Sequence, residues 1–234
     1  MSELIAIVGG PGKGKSTSIY PNKELKIKGL DLSKTLIINV SNKSLSMKGW
    51  KHVFTPKLIK EGGNYIVTHD SDLICDILGY VEKSRPDIEN VVIEDAQYLM
   101  GFAAMEKSKQ KGYEKWNEIG DIGFKPISKA KDMTREGLFI WFIYHDEKSD
   151  DGEMKIKTAG RLIDNTITLE GLFSTILFAK VQVDALSKQQ QYYFITNADG
   201  EVKARSKHGT FKSLKIANDL GLVRDAIEQY NSGE

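Results

Sequence analysis

Nine residues near the amino terminus, Gly9-Gly10-Pro11-Gly12-Lys13-Gly14-Lys15-Ser16-Thr17, carry the clearest chemistry in the chain. They fit G-x-x-x-x-G-K-[ST], the pattern of a phosphate-binding loop. Backbone N–H groups can cradle a phosphate chain only where side chains leave room, which calls for the glycines. Gly10, Pro11, Gly12, Lys13 and Gly14 would wrap the phosphates, and Lys15 would bring its ammonium to the β and γ groups. The Ser16 hydroxyl would ligate Mg²⁺, and Thr17 would lead into a helix whose dipole adds to the attraction. A nucleoside triphosphate with Mg²⁺ is therefore the expected ligand.

A second stretch, Asn90-Val91-Val92-Ile93-Glu94-Asp95, reads as an apolar strand ending in two carboxylates. One acid of such a pair holds the Mg²⁺ shell, and its neighbour orients or deprotonates the attacking water. Glu94 could serve the metal and Asp95 the water, or the reverse; the sequence leaves both orders open, and a plain capping role for the following helix is the bland alternative. A third stretch, residues 138–143, is strongly apolar and ends in Tyr144-His145-Asp146. Ligands of open α/β sheets lie beyond the carboxyl ends of strands, so His145 is expected to sense the γ-phosphate. Asp76-Ile77-Leu78-Gly79 matches the D-x-x-G of GTPases only formally, since it falls within a helical pattern and no N-K-x-D occurs.

These groups need elements to position them. Residues 4–8 and 35–40 are apolar and β-branched runs suited to strands buried on both faces of a parallel sheet. A short helix cut off by Pro21 should follow the phosphate loop, and residues 23–30 read as an irregular connector. Residues 50–54 and 65–68 look like edge strands. Asp70 offers an N-cap to a helix up to Ser84, in which Cys75 should face the core. Helices are expected from Gln97 to Met105 and from Ser128 to Arg135, with the basic and aromatic residues Lys107, Lys109, Lys111, Tyr113, Lys115, Trp116, Phe124 and Lys125 between. Residues 147–165 should form a mobile loop or hairpin. Beyond it, residues 167–169 and 173–183 read as strands, and residues 190–196 as the partner of residues 201–205 in a hairpin. Residues 213–230 suggest two short helices broken at Gly221.

At 234 residues with 33 basic and 32 acidic side chains, the chain suits a single α/β domain, residues 1–234, with no global field to attract nucleic acid. One cysteine excludes an internal disulfide, and no membrane span or leader is visible, so a reduced cytoplasmic protein is expected.

Taken in order, the phosphate loop, the acidic strand end at Glu94 and Asp95, the His145 strand end and Lys203-Ala204-Arg205 resemble the core ATPase domain of the RecA superfamily. More narrowly, the chain is similar to the half-sized RecA-like ATPases of bacteriophages grouped with single-strand-annealing and recombination proteins. The resemblance implies an α/β fold: a twisted, mostly parallel sheet flanked by helices, with a C-terminal β-hairpin and short helices. It implies ATP and Mg²⁺ at the strand ends, and self-assembly into a ring or filament with ATP between subunits. Lys203 and Arg205 match a K-x-R that reaches a neighbour's γ-phosphate. Residues 107–125 and 147–165 correspond to loops that touch single-stranded DNA. Where recombinases carry a catalytic glutamate after the second core strand, this chain has Val40-Ser41-Asn42, so water activation passes to the Glu94 and Asp95 pair, or hydrolysis is slow.

The expected function is thus an ATPase acting on single-stranded DNA in phage recombination. The competing reading is an ATP-dependent regulatory or assembly module that binds a protein partner without DNA. A nucleotide kinase ranks last, because its lid should be rich in arginines and the loop from Glu147 offers only Arg161.

Overall fold

Strands whose side chains are apolar on both faces can only be satisfied inside a covered sheet. The computed structural model, which describes residues 1–159 and 167–233, builds that sheet. It joins β1 (Glu3–Val8), β2 (Thr35–Asn39), β3 (Tyr65–Val67), β4 (Asn90–Glu94), β5 (Phe139–Tyr144), β8 (Thr175–Val183), β9 (Gln190–Ile195) and β10 (Lys215–Ala217). The order across the sheet is β10-β9-β8-β1-β5-β4-β2-β3, while β6 (Asp146–Lys148) and β7 (Met154–Ile156) form a separate antiparallel pair. From β8 to β3 every pairing is parallel, and only the β8–β9 and β9–β10 pairings are antiparallel, so β9 alone runs against the rest. The expected mostly parallel α/β sheet flanked by helices is what the chain forms.

Alternation along β1 shows how the two faces are filled. Leu4, Ala6 and Val8 join one core with α1 (Ser71–Ser84), α2 (Gln97–Glu106) and α3 (Glu114–Lys131). Ile5 and Ile7 join the other, with Ile19, Tyr20, Leu30 and Phe54 from irregular segments and with Leu220, Val223 and Ile227 of α4 (Leu220–Ser232). Each large side chain fully buried this way stabilises the fold by about 1.5–3 kcal/mol. Trp141 at the centre of the sheet also finds a partner for its indole N–H, which donates to Asn90 Oδ1 at 3.2 Å. Asp219 caps α4 by accepting from the N–H groups of Gly221 and Leu222, and its carboxylate also accepts from Lys28 N and Gly29 N. That one buried carboxylate ties the connector at residues 28–29 to the last helix.

Several expectations are corrected. Only a three-residue 3-10 turn, Thr17–Ile19, follows the phosphate loop, because the chain turns extended at Tyr20 ahead of Pro21; no helix dipole serves the loop. Residues 50–54 contain a 3-10 turn, Trp50–His52, not a strand; Gly49 enters it in the left-handed region and the N–H groups of residues 52–54 bond back to residues 49–50. Glu114 to Lys131 is one helix carrying Pro126 inside it, so the Ser128–Arg135 reading was too short at its start and the region 107–125 is largely helical. A 3-10 turn, Leu169–Leu172, stands where a strand was expected at residues 167–169. Residues 190–195 pair with β8 and β10; residues 201–205 touch the sheets only through the bridges Met154–Val202 and Ile176–Arg205. The C-terminal hairpin is therefore β8–β9. Residues 213–230 hold β10 and one helix, with Gly221 in that helix's first turn instead of at a break. Cys75 is half-buried, since α1 turns Ile74, Ile77, Leu78 and Val81 inward and leaves it at the flank. The expected hairpin in residues 147–165 is β6–β7; Arg161 and the rest of residues 160–165 lie outside the described residues.

Candidate functional site

Parallel register brings the chemistry to one edge. Val8 is level with Tyr144, and Asn39 with Glu94, so β1, β5, β4 and β2 all finish side by side. The ladder continues past the ends: Gly9 N donates to Tyr144 O, Ala96 N to Ile143 O, and Val40 N to Glu94 O. This locks the phosphate loop, the two acids and His145 to neighbouring strand ends. The loop itself is shaped by close approach. A Cβ on Gly9 would stand 2.8 Å from Ala179 O on β8, and Gly14, at φ +86°, would meet the Tyr192 ring at 2.8 Å and Asn218 Oδ1 at 3.0 Å.

Lys15 is buried, and its Nζ donates to Gly9 O at 2.5 Å and Gly10 O at 2.9 Å. Burial lowers its pKa to about 8 against the opposing pull of Asp95 and Asp146. Among the other loop residues, Ser18 is tied back by donating to Lys15 O, and Ser16 is hydrogen-bonded to Glu94. Pro11, Gly12 and Lys13 form the outer turn of the loop, with Pro11 and Gly12 exposed.

The two acids occupy different surroundings. Glu94 is buried beside Ser16, with Tyr20 Oη donating to its Oε2 at 3.5 Å. Burial raises its pKa, with the Asp95 charge adding to this and Ser16 and Tyr20 opposing it. Asp95 takes a left-handed backbone, φ +60°, a conformation that costs a non-glycine residue about 1–3 kcal/mol and clusters at functional sites. Its Oδ2 accepts from Ser41 Oγ at 2.7 Å and is paired with Lys43 Nζ at 2.5 Å. Its Oδ1 faces His145 Nε2 at 3.6 Å. Burial pushes the Asp95 carboxyl up, but the Lys43 and Ser41 hydrogen bonds outweigh that and hold it below the ordinary aspartate value. Burial and the Lys15 charge lower the His145 pKa against the opposing Asp95 charge, which favours the neutral imidazole.

The two acids face different partners: Glu94 stands by Ser16, and Asp95 stands by His145. Among the described residues no three His, Cys, Asp or Glu side chains gather to hold a metal by themselves. That suits Mg²⁺, which takes one or two carboxylates plus substrate phosphates and keeps waters. Ser16 and Glu94 would fit that pattern, while Asp95 Oδ2 is turned to Lys43.

The Glu94 surroundings predict a measurable tension between stability and function. A raised folded value means that Glu94's contribution to stability is fully present below the ordinary glutamate pKa and is lost as pH rises through the folded value. Glu94→Gln, measured without Mg²⁺, should therefore raise the melting temperature by a few degrees at pH 7, the gain shrinking toward about pH 4. Equal melting temperatures for both proteins across that range would show that the buried charge costs nothing.

Sequence reading missed four residues. Ser41 and Lys43 follow β2 where an acid was sought, and the adjacency of β2 and β4 ends is the signal that could have found them. Gln97 accepts from His145 N through Oε1 at 3.1 Å, and its Nε2 is buried without a partner. Asn218 reaches Gly14 from more than 200 positions away in sequence. Lys203 and Arg205 are not brought to this edge through their bonds: Lys203 Nζ pairs with Asp151 Oδ2 at 2.7 Å, and Arg205 Nη1 donates to Glu170 O at 3.5 Å.

No protein-family model matches the chain, and no curated protein matches it. Among solved structures, a KaiC-like protein from the hyperthermophilic archaeon Pyrococcus horikoshii is similar, with a TM-score of 0.48 and 13% identity, covering 88% of this chain and 82% of that chain.

Proposed function

We propose that this chain binds ATP with Mg²⁺ on residues 9–17 and hydrolyses it. The observation that carries the reading is the meeting at one sheet edge of Ser16 bonded to Glu94, Lys15 within electrostatic reach of Asp95, and His145 beside that Asp95. Mg²⁺, when bound, neutralises charge across the phosphates. Lys15 would add a cation to the same oxygens, Ser16 and Glu94 would hold the metal's shell, Asp95 would orient the attacking water, and His145 would donate a hydrogen bond toward the γ-phosphate.

The partner in this reading is single-stranded DNA, and the setting is phage recombination or annealing, on the motif order given above. The support is the tip between α2 and α3. Tyr113 is 89% exposed there, Trp116 is 37% exposed under Lys115 at 5.2 Å, and Lys109 and Lys111 are exposed. Lys107 and Lys125 are instead held by Glu118, and by Asp72 and Asp121. Exposed rings interleaved with cations suit stacked bases and phosphates, each stacked base contributing about 1–3 kcal/mol. Because α2 starts two residues after Asp95, a strand held at that tip is mechanically connected to the site. Assembly into a ring or filament, with the exposed Arg205 reaching a neighbour, belongs to the same proposal, and a solution mass measurement reports it.

Phosphate release from ATP with and without an oligonucleotide tests the DNA step. A several-fold rise that fades with salt, as counterion release requires, is expected. An unchanged rate together with no gel shift would remove DNA and favour the protein-docking module.

A further inference from the structure

The turn that leaves β2 is built to present one cation to the acidic strand end. Asn39, buried at the end of β2, donates through Nδ2 to Lys43 O at 2.6 Å and to Tyr65 Oη at 2.9 Å, so the Lys43 backbone is tied to the sheet. Within the turn Asn42 takes a left-handed backbone, φ +54°, a conformation that asparagine adopts more readily than most residues. Lys43 leaves this fixed turn with its Nζ 2.5 Å from Asp95 Oδ2, and its side chain is 62% exposed against 6% for that of Asp95. The backbone is held, while the four-carbon stem keeps solvent around it and room to swing.

Lys43 is also within electrostatic reach of Lys15, Glu94 and His145. Without a nucleotide, Asp95 is the anion that balances both lysines. A triphosphate cradled by residues 9–17 brings further negative charge to Lys15, and with it into the reach of Lys43. Moving the Lys43 ammonium away does not strand the buried carboxylate. Asp95 Oδ2 keeps the Ser41 hydroxyl at 2.7 Å, and Oδ1 still faces His145 Nε2 at 3.6 Å.

We propose that Lys43 is a second γ-phosphate ligand supplied by the same chain: when a triphosphate binds, its ammonium exchanges Asp95 Oδ2 for a γ-phosphate oxygen. The inference rests on the phosphate-loop reading above and deepens it to how the site tells a triphosphate from a diphosphate. The exchange adds a cation where charge develops during phosphoryl transfer, and it opens one face of Asp95 to the attacking water. Lysine suits the task because it is a compact point charge on a flexible stem, able to follow the oxygen it pairs with.

Equilibrium binding of ADP and of a non-hydrolysable ATP analogue to the whole chain, each with Mg²⁺, reads this contact without turnover. Lys43→Ala should weaken the analogue by about ten- to a hundredfold, the scale of a lost charge-assisted hydrogen bond, and leave ADP binding as it was. Lys43→Arg should keep most of the preference for the analogue. Alanine also leaves the Asp95 charge unbalanced near the γ-phosphate, so the double variant Lys43→Ala, Asp95→Asn separates contact from charge balance. The preference stays lost in the double variant if Lys43 touches the γ-phosphate. Retained ADP binding certifies that each variant is folded around the loop. A preference that returns in the double variant, or Lys43→Ala that changes both nucleotides equally or neither, overturns the Lys43 contact and leaves the phosphate loop standing. A wild type that binds neither nucleotide overturns both.

Discussion

Lys15→Ala is expected to lower ATP turnover by about 10²–10³-fold or more, the scale lost when one preorganised group that stabilises developing charge is removed. The expectation comes from the surroundings of Lys15. Lys15 is 6% exposed, yet its ammonium donates to the neutral carbonyls of Gly9 and Gly10. The burial that lowers its pKa to about 8 is a cost that a triphosphate repays, because the phosphates return the ammonium's lost solvation as direct charge pairing. Alanine removes the cation and also leaves the two carbonyls without their donor. Binding and steady-state turnover of the variant check the point. Turnover within a few-fold of wild type would mean that residues 9–17 do not hold the reacting phosphates.

The second large effect separates the two acids. Asp95→Asn should lower kcat by about 10²–10⁴-fold, the usual contribution of a positioned acid–base group, while nucleotide affinity and the Mg²⁺ requirement change little. Glu94→Gln should do the opposite in kind, raising the Mg²⁺ concentration needed for half-maximal rate. The assignment follows from partners, since Glu94 is bonded to Ser16 whereas Asp95 is bonded to Ser41 and Lys43 and faces His145. Asp95 is a carboxylate held below its ordinary pKa, which makes it a weak base and a good fixed acceptor. That is sufficient for phosphoryl transfer through a loose transition state, where orienting the water matters more than removing its proton early. Rates measured against Mg²⁺ concentration for the two variants check this, and a Mg²⁺ shift on Asp95→Asn with none on Glu94→Gln would reverse the roles.

Much of this was legible where local sequence decides structure. Residues 4–8, 35–40, 90–94 and 138–143 are apolar on both faces, and they became the parallel core because nothing but burial satisfies such runs. The α1 boundaries followed from Asp70, which accepts from Asp72 N and Leu73 N. The failures share a cause in long-range pairing. Residues 190–195 carry a turn signal toward residues 201–205, but β8 and β10 supply longer ladders, six pairs with β8 alone. The helix expected after the loop was lost because Leu30 N bonds back to Ile19 O and fixes the chain where a second turn would run. At the site, the loop, Glu94, Asp95 and His145 were visible as motifs at strand ends. Ser41, Lys43 and Asn218 were not, because their roles come from which strand ends adjoin and from the return of the chain through β10.

The most direct test is phosphate release from ATP with Mg²⁺ by the whole chain, run beside Lys15→Ala and with nucleotide binding measured on the same samples. The account predicts Mg²⁺-dependent release and nucleotide binding, with the release lost in the variant. Release no faster than in buffer, together with no nucleotide binding by the wild type, would contradict it.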